Sequence, residues 1–372
     1  MSGRDERGRV IVRPQRYRQF GAPEGACFYL VTNPDLLDRF VIEADGAYRR
    51  TERLGFEAGD SVEDLLSAAA EPAHILVISP EWLFRSPTPE QLGRGRKLVA
   101  MPCNSTPTSL EAVLHFLEAM ERTDPSAQQA FADRFFELAE SSDRLEIVDD
   151  RHGTQAVFQH LGSDYEWNLQ AGVLDWGGQQ IGPPGEISAL PAQVMQFDPS
   201  LRLQIDGELA LCGQPIVHSG MPSFSQPDQL RLYERLATAK DQAVIATVRA
   251  GVVSAVRAAN PDAEPAARML DSLFEVDSRY RIIWELGVGI NGALELMPGN
   301  LGMNEVYGGM NGTVHCGFGL TPFTQYAIIV LCPGSRLIGG DGTVLAGPPA
   351  TVRDAGKRRV IRRTTAGCAC YT

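Results

Sequence analysis

The feature that most limits the possible fold is a change of texture close to Ser142. Before it, short apolar runs alternate with helical patterns. After it, strand-like runs follow one another across glycine turns. Cys27-Phe28-Tyr29-Leu30-Val31, Ile75-Leu76-Val77-Ile78 and Leu98-Val99-Ala100-Met101 are unbroken apolar runs, as in parallel strands covered on both faces. Ser61 with Asp64 three residues on, and Pro89 before Glu90-Gln91-Leu92, are helix-start signals between them. Two longer helices follow, over 109–122 with Leu110, Val113, Leu114 and Leu117 on one face, and over 125–141 with Phe131, Phe135 and Leu138 at helical spacing. Residues 25–142 therefore read as an α/β layer.

From 143 to 349 the pattern is β-rich and mostly antiparallel, with strands expected over 144–148, 155–158, 201–205, 208–212 and within 244–256. Helices are expected over 227–241 and 265–274, giving an α/β chain that is α+β overall. Residues 1–24 are polar and Arg-rich without a hydrophobic segment, so a flexible extension is expected there and a secretory signal is not. The net charge of −12 argues against generic attraction to nucleic acid or an anionic membrane surface. No apolar run approaches the roughly 20 residues that span a bilayer. Most of the seven cysteines sit in apolar runs, which fits reduced thiols in a cytoplasmic protein.

Chemistry concentrates in 284–319. Glu285-Leu286-Gly287-Val288-Gly289-Ile290-Asn291 opens this stretch, and Gly312-Thr313-Val314-His315-Cys316-Gly317-Phe318-Gly319 closes it. Glycine lets backbone approach a bound group closely, and each glycine cluster flanks a residue able to ligate metal. A third such residue, Glu186, follows Gly182-Pro183-Pro184-Gly185. Each has a plainer reading. Glu186 could cap turn amides, Glu285 could pair with an arginine, and His315 could be a hydrogen-bonded core histidine.

The series Asp150-Arg151-His152-Gly153-Thr154, Pro184-Gly185-Glu186, Glu285-Leu286-Gly287-Val288-Gly289 and Gly312 to Gly319, in that order, resembles the thermophilic (leucyl) aminopeptidase family, which includes the 2,5-dihydroxypyridine dioxygenases. The passage 249–261 before Glu285 matches as well. The resemblance implies a dinuclear metallopeptidase site with Glu186, Glu285 and His315 among the ligands, and a homodimer. Such ions lower the pKa of bound water toward about 7.

The departures bear on function. The family completes its site with a His-x-Asp pair, whereas 320–331 here reads Leu-Thr-Pro-Phe-Thr-Gln-Tyr-Ala-Ile-Ile-Val-Leu. Gly153-Thr154-Gln155 and Gly289-Ile290-Asn291 also replace family motifs. The expectation is an aminopeptidase-like protein with a degenerate dinuclear site: a non-catalytic peptide-binding or scaffold protein, with a place in peptide or natural-product processing. The alternative is a metalloenzyme rebuilt around a mononuclear site, acting on a peptide or small molecule. Two Glu and one His with a water would make a legal zinc site; one divalent metal is expected, zinc before iron, or none. Tyr307 and Tyr326 are candidates to meet a substrate carbonyl, with core packing as their plainer reading. His152 fits turn chemistry; His218, in an apparent insertion, could alter access or replace a missing ligand; Glu305 falls between the second and third ligand positions. In the basic tail 350–372, Cys368 and Cys370 could bind a soft metal or be modified.

Overall fold

A computed structural model describes residues 3–23, 25–57, 59–82, 84–103, 105–192, 198, 200–219, 226–320, 323–349 and 363–364. The apolar runs of the N-terminal region supply the three central strands of a five-stranded sheet, in the order Gln179–Ile181, Arg96–Ala100, Ala73–Ile78, Cys27–Thr32 and Arg50–Gly55. Every pair in it is parallel. Both faces are covered, as continuous apolar strands require. Phe28, Leu30, Leu76, Ile78 and Val99 pack with Phe116 and Met120 of the helix Leu110–Arg122, while Tyr29, Val31, Ile75 and Val77 meet Leu65 and Leu66 of Val62–Ala68 and Ala69 just after it. Ser61 and Ser109 cap these helices by accepting from Asp64 N and Ala112 N.

Two seven-stranded sheets make up the β-rich part. One runs in the order Pro215–Ser219, Tyr326–Cys332, Thr313–Phe318, Ile283–Gly289, Glu186–Pro191, Tyr165–Gln170 and Arg363–Thr364. Its pairs are antiparallel except the last, which is parallel. The other runs Val252–Ala258, Val244–Arg249, Ile205–Leu211, Thr154–Phe158, Leu145–Asp149, Arg336–Gly339 and Val344–Ala346. Side-chain alternation sorts the first sheet into two faces. Ile187, Val217, Leu286, Val288, Val314, Cys316, Phe318, Ile328 and Val330 join one core with Phe158, Leu209 and Ala246 of the second sheet. The opposite face carries Gln170, Glu186, Glu285, His315 and His218.

Several expectations change. Residues 201–205 and 208–212, expected as two strands, give a single strand Ile205–Leu211. Gly207 continues it because its bare backbone packs against Ala156, where a Cβ would lie 2.6 Å from Ala156 Cα. The stretch 244–256 is a hairpin turned by Ala250 and Gly251, both with positive φ (46° and 73°). The segment expected to be a loose extension is packed over residues 3–23. Val10–Val12 pairs with Phe40–Ile42, and Val10, Val12, Tyr17 and Phe20 are buried. These four side chains anchor it, a handful of apolar positions that the overall polarity of the segment hid. The five described cysteines are free and buried. No helix among the described residues is long and apolar enough to cross a membrane.

Phe20 is fully buried and stacks on His74 at 4.9 Å. Phe20→Ala should therefore cost about 3–5 kcal/mol in denaturant unfolding, and a cost below about 0.5 kcal/mol would show the segment to be detached.

Candidate metal centre

The site is set by cross-strand register. Glu285 lies opposite Gly317, and Gly287 lies opposite His315. A Cβ on Gly287 would sit 2.0 Å from His315 Nε2, and one on Gly317 would sit 2.8 Å from Glu285 Cβ. Each glycine thus leaves the space that the facing side chain fills. Glu186 starts the neighbouring strand, opposite Gly289. A Cβ on Gly289 would collide with Tyr307 O at 2.4 Å and Glu305 O at 2.8 Å, so this glycine admits the Gly302–Val306 turn that carries Glu305.

Buried groups converge as a result. One ligand-type atom each from Glu186, Glu285, Glu305 and His315 lies within 4.8 Å of the others. His315 Nε2 is 3.6 Å from Glu186 Oε1 and 3.6 Å from Glu285 Oε1. His315 is fully buried, and Glu186 and Glu285 are 6% and 7% exposed. Sequence reasoning brought Glu186, Glu285 and His315 together; it left Glu305 without a role, because Glu305 belongs to none of the motifs that carry the family resemblance.

The turn before Glu186 is fastened from three sides. Pro184 O accepts from Gln128 Nε2 at 2.6 Å and from Asn291 Nδ2 at 2.8 Å, and Asn291 Nδ2 also donates to Thr123 Oγ1. Ile290 N donates to Gly185 O. Asn291 therefore holds the Glu186 turn in place. Gln170 pairs with Glu186 across the strands, and its Oε1 accepts from Ile181 N, which fixes the amide orientation. Its buried Nε2 has no hydrogen-bond partner.

That amide helps line a cavity of about 20 Å³, together with Glu186, His218, Glu305, Pro102 and Gly302. This is the scale of a water or an ion, well short of a peptide. Three segments wall it off from a cleft of about 1030 Å³. Thr106, Ser219 and Leu301 line the cleft, while their neighbours Ser105, His218 and Gly302 lie on or beside the small cavity.

Electrostatics sort the cluster. Burial pushes the Glu285 carboxyl up, to about 8, helped by the charge of Glu186 and only partly offset by His315. Burial would lower His315, but the adjacent Glu186 and Glu285 carry it up to about 10. Burial would raise Glu186 as well; the close imidazolium, then Glu285 and Ser188, bring it below the usual carboxylate range. At those values Glu285 and His315 would each hold a proton near neutrality when no ion is bound.

The donor set fits a divalent ion. Ligand distances of about 2.0–2.2 Å in tetrahedral geometry place ligand atoms about 3.3–3.6 Å apart. The two contacts of His315 Nε2 fall at that separation, too long for hydrogen bonds, and this buried nitrogen has no hydrogen-bond partner. The remaining candidates lie elsewhere. His152 Nδ1 meets Asp149 Oδ1 at 3.0 Å within its own turn. Tyr326 is buried in the sandwich core and its hydroxyl accepts from Gln325. Tyr307 packs against the core of the parallel layer. Neither tyrosine lines the small cavity. Cys368 and Cys370 lie outside the described residues.

Among solved structures, 2,5-dihydroxypyridine dioxygenase from Pseudomonas putida KT2440 aligns over 90% of this chain and 96% of its own, with 11% identity and a TM-score of 0.52. Wild-type AmpT from Thermus thermophilus aligns over 88% and 93% at 13% identity, with a TM-score of 0.45. No protein-family model and no curated protein matches the chain. The dioxygenase alignment shows a shared fold over nearly the whole length.

Two predictions follow from the register and the charges. Gly287→Ala should destabilise the protein by about 1–3 kcal/mol through the displaced imidazole, and His315→Ala in the same chain should recover most of that loss in a double-mutant cycle. If the penalty is the same without the imidazole, the packing argument is wrong. The second concerns pH. Glu285 and His315 both sit above their ordinary values of 4.5 and 6.5, so the stability each gives is complete below those values and is lost as pH rises through the folded-state value. Melting in chelator should show a loss between about pH 4.5 and 8 from Glu285, and a later one toward pH 10 from His315. Glu285→Gln, which cannot ionise, should remove the first loss relative to wild type.

Proposed function

We propose that this chain is a mononuclear divalent-metal protein, with Glu186, Glu285 and His315 as ligands and Glu305 as the fourth. The observation that carries this reading is His315 Nε2, buried without a hydrogen-bond partner at 3.6 Å from two carboxylates. Three carboxylates and an imidazole suit zinc, with iron as the less favoured occupant. A divalent ion would neutralise acids whose burial together is otherwise costly. With four protein donors, hydrolytic chemistry would need a fifth position on the ion, where it would polarise a carbonyl group or lower the pKa of a bound water for metal-assisted hydrolysis of a peptide or small molecule. Gln170 Nε2 would donate to an oxygen in the cavity, beside acceptors on Glu186 and Glu305.

A second reading, a non-catalytic scaffold or peptide-binding protein whose ligand would lie in the outer cleft of about 1030 Å³, draws on the size of the inner cavity: about 20 Å³ does not admit a peptide to the cluster. It also draws on the strand Tyr326–Cys332, which turns Ile329 and Leu331 toward the site face and brings no ligand.

Equilibrium dialysis with elemental analysis distinguishes the readings. One zinc per chain, abolished by Glu285→Ala or His315→Ala, supports the metal centre, and no retained metal at micromolar zinc overturns it. Binding should strengthen as pH rises, because loading displaces the protons held by Glu285 and His315. Peptide binding that survives chelator, with no metal retained, would favour the scaffold.

A further inference from the structure

His218 belongs to none of the ligand positions read from sequence, yet it lines the small cavity together with Glu186 and Glu305. Its Nε2 is 3.1 Å from Glu305 Oε2, and its Nδ1 is 3.1 Å from Ser105 Oγ. His218 and Ser105 are 4% and 5% exposed. In the neutral ring the pairing selects the tautomer: a carboxylate can only accept, so Nε2 donates to Glu305 and Nδ1 accepts from the Ser105 hydroxyl.

The surroundings are built around this ring. Gln229 Nε2 donates to Ser105 O and to Val217 O at 2.7 Å each, and Ser219 N donates to Ser105 O at 2.8 Å. These bonds lash the Ser105 segment to the strand carrying His218. Gly302 N donates to Thr106 Oγ1, tying the Glu305 turn to the same segment. A Cβ on Gly302 would come within 3.0 Å of His218 Cε1, so glycine leaves room for the ring there.

We propose that His218 is the positioning residue for Glu305: by donating to Oε2 it aims the other carboxylate oxygen at the ion, and Ser105 holds the imidazole in the tautomer that allows this. Ligating carboxylates commonly depend on such outer partners, whose loss weakens metal binding about 10- to 100-fold. The proposal rests on the mononuclear reading above, and none of its three residues belongs to a motif that identified the other ligands.

The test is a chelator-competition titration of zinc, with cobalt(II) absorption spectra, on wild type, His218→Ala, His218→Gln, Glu305→Gln and the double variant His218→Ala/Glu305→Gln. His218→Ala should weaken zinc about 10- to 100-fold and alter the cobalt ligand-field bands, while Glu305→Gln should weaken it at least as much. The double variant should be no weaker than Glu305→Gln alone, since His218 acts through that carboxylate. His218→Gln, which keeps a donor near the Nε2 position, should recover part of the affinity. Circular dichroism melts confirm that each variant is folded. If wild type binds no metal, the mononuclear reading fails and the proposal falls with it. If wild type binds metal but the His218 and Glu305 effects are absent or additive, the positioning role alone is overturned.

Discussion

Everything at the site depends on one register, the pairing of Ile283–Gly289 with Thr313–Phe318 that sets Glu285 against Gly317 and Gly287 against His315. On an antiparallel sheet, facing residues point the same way and their Cβ atoms lie about 4.5–5.5 Å apart. Two bulky ionisable side chains fit there only when the residues across from them have none. A one-residue slip of either strand would turn its own ligand, Glu285 or His315, into the apolar core formed by Leu286, Val288, Val314 and Cys316. The burial of that opposite face, far larger than any polar gain at the site, is what holds the register.

The remaining parts build outward from this pair. Glu186 comes from the next strand, its turn held by Gln128 and Asn291. Glu305 comes from a turn that Gly289 lets approach. The turn is also fastened internally, with Asn304 bonded to Met297 at both ends of its amide. The cluster is a cage made by three strands of one sheet and a 3-10 turn. Its buried charges make it a poor source of stability by itself, so the surrounding hydrogen bonds carry the positional precision.

Much of this was legible in the sequence, for physical reasons that differ from part to part. The parallel layer was readable because strands covered on both faces leave unbroken apolar runs such as Cys27–Thr32. Glu186, Glu285 and His315 were readable because each lies beside glycines that crowding demands. Arg50–Gly55 was not, since as an edge strand it keeps polar side chains such as Arg50, Glu52 and Arg53. Gln179–Ile181 was missed because three residues carry no period, although they return the chain to the N-terminal sheet. Glu305, His218 and Ser105 left no local signal: their meeting is a long-range event across 105, 218 and 305, fixed only by the packing of the two layers.

Anomalous diffraction from crystals grown with zinc, recorded on either side of the zinc edge, tests the central claim most directly. The account predicts one peak per chain at about 2.0–2.2 Å from His315 Nε2 and from oxygens of Glu186 and Glu285. A crystal with no peak among these side chains, or with two peaks and further ligands, would contradict it.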